Sequence, residues 1–152
     1  MAISELGKVC LFSEISGVIT LDGKPVANAK LVRTANRDGD ITDETTTDEH
    51  GKFTMPAVYE RTITKFLPME FVVSQEIEVS HCGKKYKMWD GIKRKREENT
   101  ESRGKPLVVS CELNSEEKHI RVDGAGFFTL CTWDVEPDKA KNWDQLFEPD
   151  TE

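Results

Sequence analysis

Four cysteines, Cys10, Cys82, Cys111 and Cys131, and three histidines, His50, His81 and His119, are the side chains with which this chain could attack a carbonyl or hold a metal. Their spacing argues against both. Structural zinc sites are built from short paired spacings, and no CxxC pair occurs. His81 and Cys82 are adjacent, and neighbours on a strand point to opposite faces, so they are not expected to form a nucleophile–base pair. A dyad drawn across strands, Cys111 or Cys131 with His119, is the enzymatic arrangement that remains. Its competitor is simple packing, since a cysteine on an alternating apolar face behaves as a small hydrophobe. His50 falls in a turn and reads as solvated.

Asn36-Arg37-Asp38-Gly39-Asp40 looks like part of a calcium loop. With Gly39 in the sixth place, the first and twelfth ligands would be Thr34 and Thr45, where carboxylates are required. The segment therefore reads as a turn with solvated acids. No cofactor is expected.

Surface charge is the chemistry left. Asp38, Asp40, Asp43, Glu44, Asp48 and Glu49 concentrate acids across one hairpin, while Lys84, Lys85, Lys87 and the run from Lys93 to Arg96 form a basic band. Solvated faces are the bland account. Docking onto another protein is the functional one, because clustered charges steer encounter and aromatic anchors supply affinity. The C-terminal segment offers such anchors: Pro137 is placed to open a short helix, with Ala140, Trp143, Leu146 and Phe147 on one face among acids. That tail either docks on a partner or covers an open end of the sheets. A net charge of −7 argues against general binding to nucleic acid.

The elements that must position these residues are strands. Ile15, Gly17, Ile19 and Leu21 alternate, Asp22-Gly23-Lys24-Pro25 supplies a turn, and Ala27, Ala29 and Leu31 resume the pattern. Thr45 and Thr47 lead into a second tight turn, Asp48-Glu49-His50-Gly51, before Phe53 and Met55. A long strand runs through Met69, Phe71, Val73, Gln75, Ile77 and Val79, with carboxylates turned to water, and Lys84 to Ile92 returns through His81-Cys82-Gly83. A charged loop covers 93–103. Leu107, Val109, Cys111 and Leu113 make another core face. Ile120 and Val122 lead through Gly124-Ala125-Gly126 into Phe127, Thr129, Cys131 and Trp133.

Gly17-Val18-Ile19, Asp22-Gly23-Lys24-Pro25-Val26, Asn28-Ala29-Lys30-Leu31 and Thr47-Asp48-Glu49-His50-Gly51-Lys52-Phe53 resemble the carboxypeptidase-regulatory-like module, over residues 15–56. Asn28 stands where that family usually has glycine. The resemblance implies an immunoglobulin-like or transthyretin-like antiparallel β-sandwich and a binding, spacer or stabilising role with no reaction of its own. Transthyretin-like sandwiches include hydroxyisourate hydrolases, but their Tyr-Arg-Gly-Ser ending is missing here.

The expectation is an all-β sandwich over residues 1–135, followed by a short helix or ordered tail over 136–152. Glu5, Lys8 and Glu14 interrupt the start, so it lacks the apolar run of an export leader, and no stretch approaches the roughly eighteen apolar residues of a membrane span. A cytoplasmic location is therefore expected, with all four thiols reduced and buried. The expected function is that of a non-catalytic protein-binding module. Its sharpest form is an immunity protein that covers the active surface of a basic toxin domain, with Asp38, Asp40, Asp43, Glu44, Asp48, Glu49, Trp143 and Phe147 as contacts. An adaptor in a secretion or envelope assembly, and a Cys–His enzyme, are the alternatives.

Overall fold

Alternation of apolar and polar side chains becomes strand almost wherever the sequence shows it. A computed structural model describes residues 7–61 and 70–139. Within them run β1 (Lys8–Phe12), β2 (Ile15–Leu21), β3 (Lys24–Pro25), β4 (Lys30–Asn36), β5 (Asp40–Thr46), β6 (Lys52–Met55), β7 (Val58–Arg61), β8 (Val73–His81) and β9 (Lys84–Lys93). They are followed by a 3-10 turn (Thr100–Ser102), β10 (Leu107–Glu112), β11 (Lys118–Val122), β12 (Ala125–Thr129) and β13 (Cys131–Trp133).

Two sheets face each other as a β-sandwich. One is six-stranded, in the order β11-β12-β9-β8-β4-β5; the other runs β13-β10-β2, with β3 and β6 both paired to β2. β1 and β7 form a small separate ribbon. Leu31, Ile77, Val79, Trp89 and Phe127 from the first sheet meet Ile15, Ile19 and Val109 from the second in one core.

The turn at Asp22 and Gly23 has both residues at positive φ, 54° and 81°, the primed geometry whose twist suits a two-residue hairpin. Asn28 sits at φ 59°, which explains how it replaces glycine: a short amide side chain tolerates the left-handed region. The Glu112 carboxylate binds the hairpin from across the sheet. It accepts hydrogen bonds from the backbone N–H groups of Asp22, Gly23 and Asn114 and from the Thr20 hydroxyl. Those backbone donors hold its pKa down at about 2.

Two pairings differ from the simple antiparallel expectation. β2 and β10 run parallel, from Leu107 opposite Ile15 to Glu112 opposite Thr20, because the chain between them crosses the other sheet and no hairpin dictates their direction. The alternation from Phe127 to Trp133 is also not one strand. β12 belongs to the six-stranded sheet and β13 to the other. Thr129 satisfies the break between them: its hydroxyl donates to the Met88 carbonyl at 2.9 Å and accepts from the Cys131 N–H at 2.9 Å.

That switch of sheets brings Cys131 opposite Cys111, with Cα atoms 4.0 Å apart, and the two are joined as a disulfide. The expectation of four reduced, buried thiols is thus corrected: only Cys10 is both free and buried, and Cys82 is free but exposed. The bond closes a loop with a sequence separation of 20 residues. A closure of that size stabilises by about 3 kcal/mol. Cys111→Ser and reduction of the wild type are each expected to lower the urea midpoint by the same amount. A midpoint indifferent to reductant would mean that the bond is not formed in solution.

The charged loop over 93–103 is not solvated throughout. Lys93 and Glu101 are both about 1% exposed. The Glu101 carboxylate accepts hydrogen bonds from Ser13 N (3.1 Å), Ser13 Oγ (2.6 Å) and Gln75 Nε2 (3.1 Å). The Ser13 hydroxyl in turn accepts from Asn99 N. Gln75 also accepts from Trp89 Nε1, and Trp133 Nε1 donates to the Glu101 carbonyl, so the network ties the loop to the aromatic core of Phe12, Trp89, Phe127 and Trp133. Lys93 Nζ donates to the carbonyls of Lys95 and Glu97. Burial pushes its pKa down, against the opposing pull of Glu101.

Residues 135–139 form no helix, so the helix expected from Pro137 does not begin there. Ala140, Trp143, Leu146 and Phe147 lie outside the described residues, as does Met69.

Candidate functional site

The register of the six-stranded sheet decides which side chains meet. Leu31, Arg33, Ala35, Gln75, Ile77, Val79, Trp89 and Phe127 turn inward and are buried. Their neighbours turn outward, and among the described residues no element covers this outer face. Across it, Asp40 stands opposite Asn36, and Asn36 opposite Ser74; Glu76 stands opposite Asp90, Asp90 opposite Phe128, and Phe128 opposite His119.

Two shallow depressions adjoin on this face, with Asp90 common to both. The first holds about 310 Å3 and is lined by Asp40, Glu76 and Asp90 with Thr34, Asn36 and Ser74. The second holds about 340 Å3 between Ile92, Arg94, His119, Arg121 and Phe128, over Gly126. One is an acidic hollow lined by hydroxyls and amides; the other is an aromatic notch with guanidinium groups at its rim. The face is divided by charge.

The six acids of the β4–β6 hairpins are not brought together as one patch. Asp40 and Glu44 lie on the outer face, Asp40 accepting from Asn36 Nδ2 at 2.6 Å and Glu44 pairing with Lys30 at 3.3 Å. Asp43 turns the other way and binds the buried Arg33 guanidinium in a two-pronged ion pair of 2.9 and 2.6 Å, so its charge is spent inside the fold. Asp38 is an exposed turn residue paired with Arg37 at 3.0 Å. Asp48 accepts the N–H groups of Lys52 and His50, which lower its pKa and shape the turn. Glu49 is exposed beside His50. Trp143 and Phe147 lie outside the described residues.

The basic band is also dispersed. Lys93 is buried, Lys85 stands 3.7 Å from Glu78, and Lys87 stands 3.5 Å from Asp90, so bases alternate with acids across the sheet. Sequence reasoning missed Glu76, Asp90 and Phe128 as site residues. The outward alternation of β8 does point to Glu76, but only the pairing register shows that Asp40 and Asp90 share its side.

The cross-strand Cys–His dyad is overturned. Cys111 and Cys131 are bonded to each other, and His119 stacks on Phe128 on the outer face, with ring centroids 4.6 Å apart. His81 and Cys82, expected apart, in fact approach to 3.4 Å between Nε2 and Sγ. The strand rule fails there because Cys82 has left the strand and sits in the turn at φ 50°. The remaining thiol, Cys10, is pushed up to about 11 by burial, far from the thiolate that nucleophilic work requires. Among the described residues, no three His, Cys, Asp or Glu side chains converge as metal ligands. No described helix is long and apolar enough to cross a membrane.

Fold and face together define a class: an all-β sandwich carrying an uncovered sheet face divided into an acidic and an aromatic–cationic half. Residues 15–116 match the family model described as Domain of unknown function (DUF6795), and the chain belongs to that family. No curated protein and no solved structure matches it.

Proposed function

We propose that this protein is a non-catalytic protein-binding module of the carboxypeptidase-regulatory-like kind, and that the outer face of its six-stranded sheet is the docking surface. The observation that carries the reading is the acidic hollow of Asp40, Glu76 and Asp90, set beside an exposed aromatic. Acids at such a surface steer a basic partner and select it, while nearby aromatic contacts hold it. In its sharpest form the partner is a toxin whose basic active surface is occluded. The Cys111–Cys131 bond fits action in an oxidising compartment better than in a reducing cytoplasm.

Tandem affinity purification from the native cell at low salt is expected to recover one basic partner in stoichiometric amount. Glu76→Lys should then weaken its binding on the order of tenfold or more, because a like charge replaces a complementary one. Recovery of no partner, or a partner indifferent to Glu76→Lys, would sink the reading.

A further inference from the structure

Row by row, the outer face of the sheet is filled with side chains except at one place. Gly126 on β12 stands opposite Arg121 on β11, and the position between Ile92 and Arg121 is left without a side chain. The gap is roofless and one side chain wide. Its walls are Ile92, the Phe128–His119 stack and Arg121, with Arg94 at the rim. Phe128 is 46% exposed and stacks on His119 beside the gap, which gives the notch an open aromatic wall. A Cβ placed on Gly126 would approach only the His119 ring, at 3.3 Å, so the backbone itself does not require the glycine.

The charges around the gap are unequal. Arg94 is engaged with Glu70 at 2.9 Å and Asp90 faces Lys87 at 3.5 Å. Arg121 makes one long contact, 3.5 Å to the Gly124 carbonyl, and no ion pair among the described residues. An apolar, ring-lined notch beside an uncompensated guanidinium complements a flat apolar group with an anion next to it. Small-molecule sites enclose most of their ligand, and this one is half open. A nucleic acid strand would bring further phosphates onto Glu76 and Asp90, and the chain as a whole carries a net charge of −7. Shallow sockets of this kind are what interface anchors fill.

We propose that the notch over Gly126 receives an aromatic side chain of a partner protein, with a carboxylate on the neighbouring residue of that partner bound by Arg121. The inference rests on the binding-module reading and specifies what the partner presents to the cationic half of the face. Arg121 and Phe128 are then the contacts that set specificity, and Gly126 is kept free of a side chain to admit the ring.

The test uses the full chain labelled with 15N and titrated with N-acetyl-Asp-Trp-amide. Amide shifts are expected to be confined to Ile92, Gly124, Gly126 and Phe128. N-acetyl-Asn-Trp-amide on the wild type, and N-acetyl-Asp-Trp-amide on Arg121→Gln, should each bind on the order of tenfold more weakly, the loss of one charge-assisted hydrogen bond. Gly126→Val should abolish the shifts while leaving the rest of the spectrum in place, which establishes that the variant is folded. Shifts elsewhere, no shifts, equal binding of N-acetyl-Asp-Ala-amide, or tighter binding of an oligothymidylate would each overturn the proposal. A purified partner weakened by Glu76→Lys and untouched by Gly126→Val would also overturn it, and would leave the binding-module reading standing.

Discussion

Glu101→Ala is expected to cost about 4 kcal/mol, enough to unfold a large fraction of a domain of ordinary stability. The substitution removes the acceptor of three hydrogen bonds: it leaves Ser13 N and the Ser13 hydroxyl proton without the carboxylate they donate to, and Gln75 Nε2 with the Leu11 carbonyl alone, where water does not reach. It also leaves Lys93 buried without the carboxylate that offsets its charge. Removing one member of a buried charged network is costly because the survivors keep their desolvation penalty. Glu101→Gln retains an acceptor and the shape of the side chain, so it should fall between alanine and the wild type. Urea midpoints of the three proteins provide the measurement. Alanine as stable as the wild type would show that the loop over 93–103 lies open to solvent.

Gly17→Val is expected to be worse, with a loss of about 4 kcal/mol or more and a poor yield of soluble protein. Gly17 lies opposite Val109 in the parallel pairing of β2 with β10. A Cβ there would stand 2.0 Å from the Val109 carbonyl oxygen and 2.8 Å from its carbonyl carbon. These are backbone atoms in the centre of a sheet and cannot turn aside as a side chain can. Only separation of the two strands would relieve the overlap. Gly126→Val is the matched control, since its single neighbour is the movable His119 ring. Equal stability of both variants would contradict the close approach of β2 to β10.

Much of the frame was legible in the chain, and the reasons are local. Asp22-Gly23 announces a primed hairpin because few residues accept positive φ at two successive positions, and Gln75, Ile77 and Val79 betray a half-buried strand by period two. What escaped depends on partners far away in sequence. Glu101 reads as one more acid in a charged run until Ser13 and Gln75 are seen to surround it. Asp43 reads as a surface charge until the register places it against buried Arg33. Cys131 continues the alternation of Phe127 and Thr129 smoothly, so nothing local marks the change of sheet that brings it to Cys111. The candidate site was legible only in part: the acids were visible, but Asp40, Glu76 and Asp90 share a side through strand pairing alone.

The parallel union of β2 and β10 has a consequence for how the molecule is made. The hairpin of β2 and β3 leaves the ribosome before its neighbour in the sheet, which is synthesised close to ninety residues later, as the span from Ile19 to Cys111 shows. During that interval one flank of the nascent hairpin has nothing to bind. Contacts this distant along the chain slow folding, and waiting edges invite association with other chains. β2 must therefore wait for β10 before its sheet can close, which makes a late-arriving strand the step on which maturation of the sandwich turns.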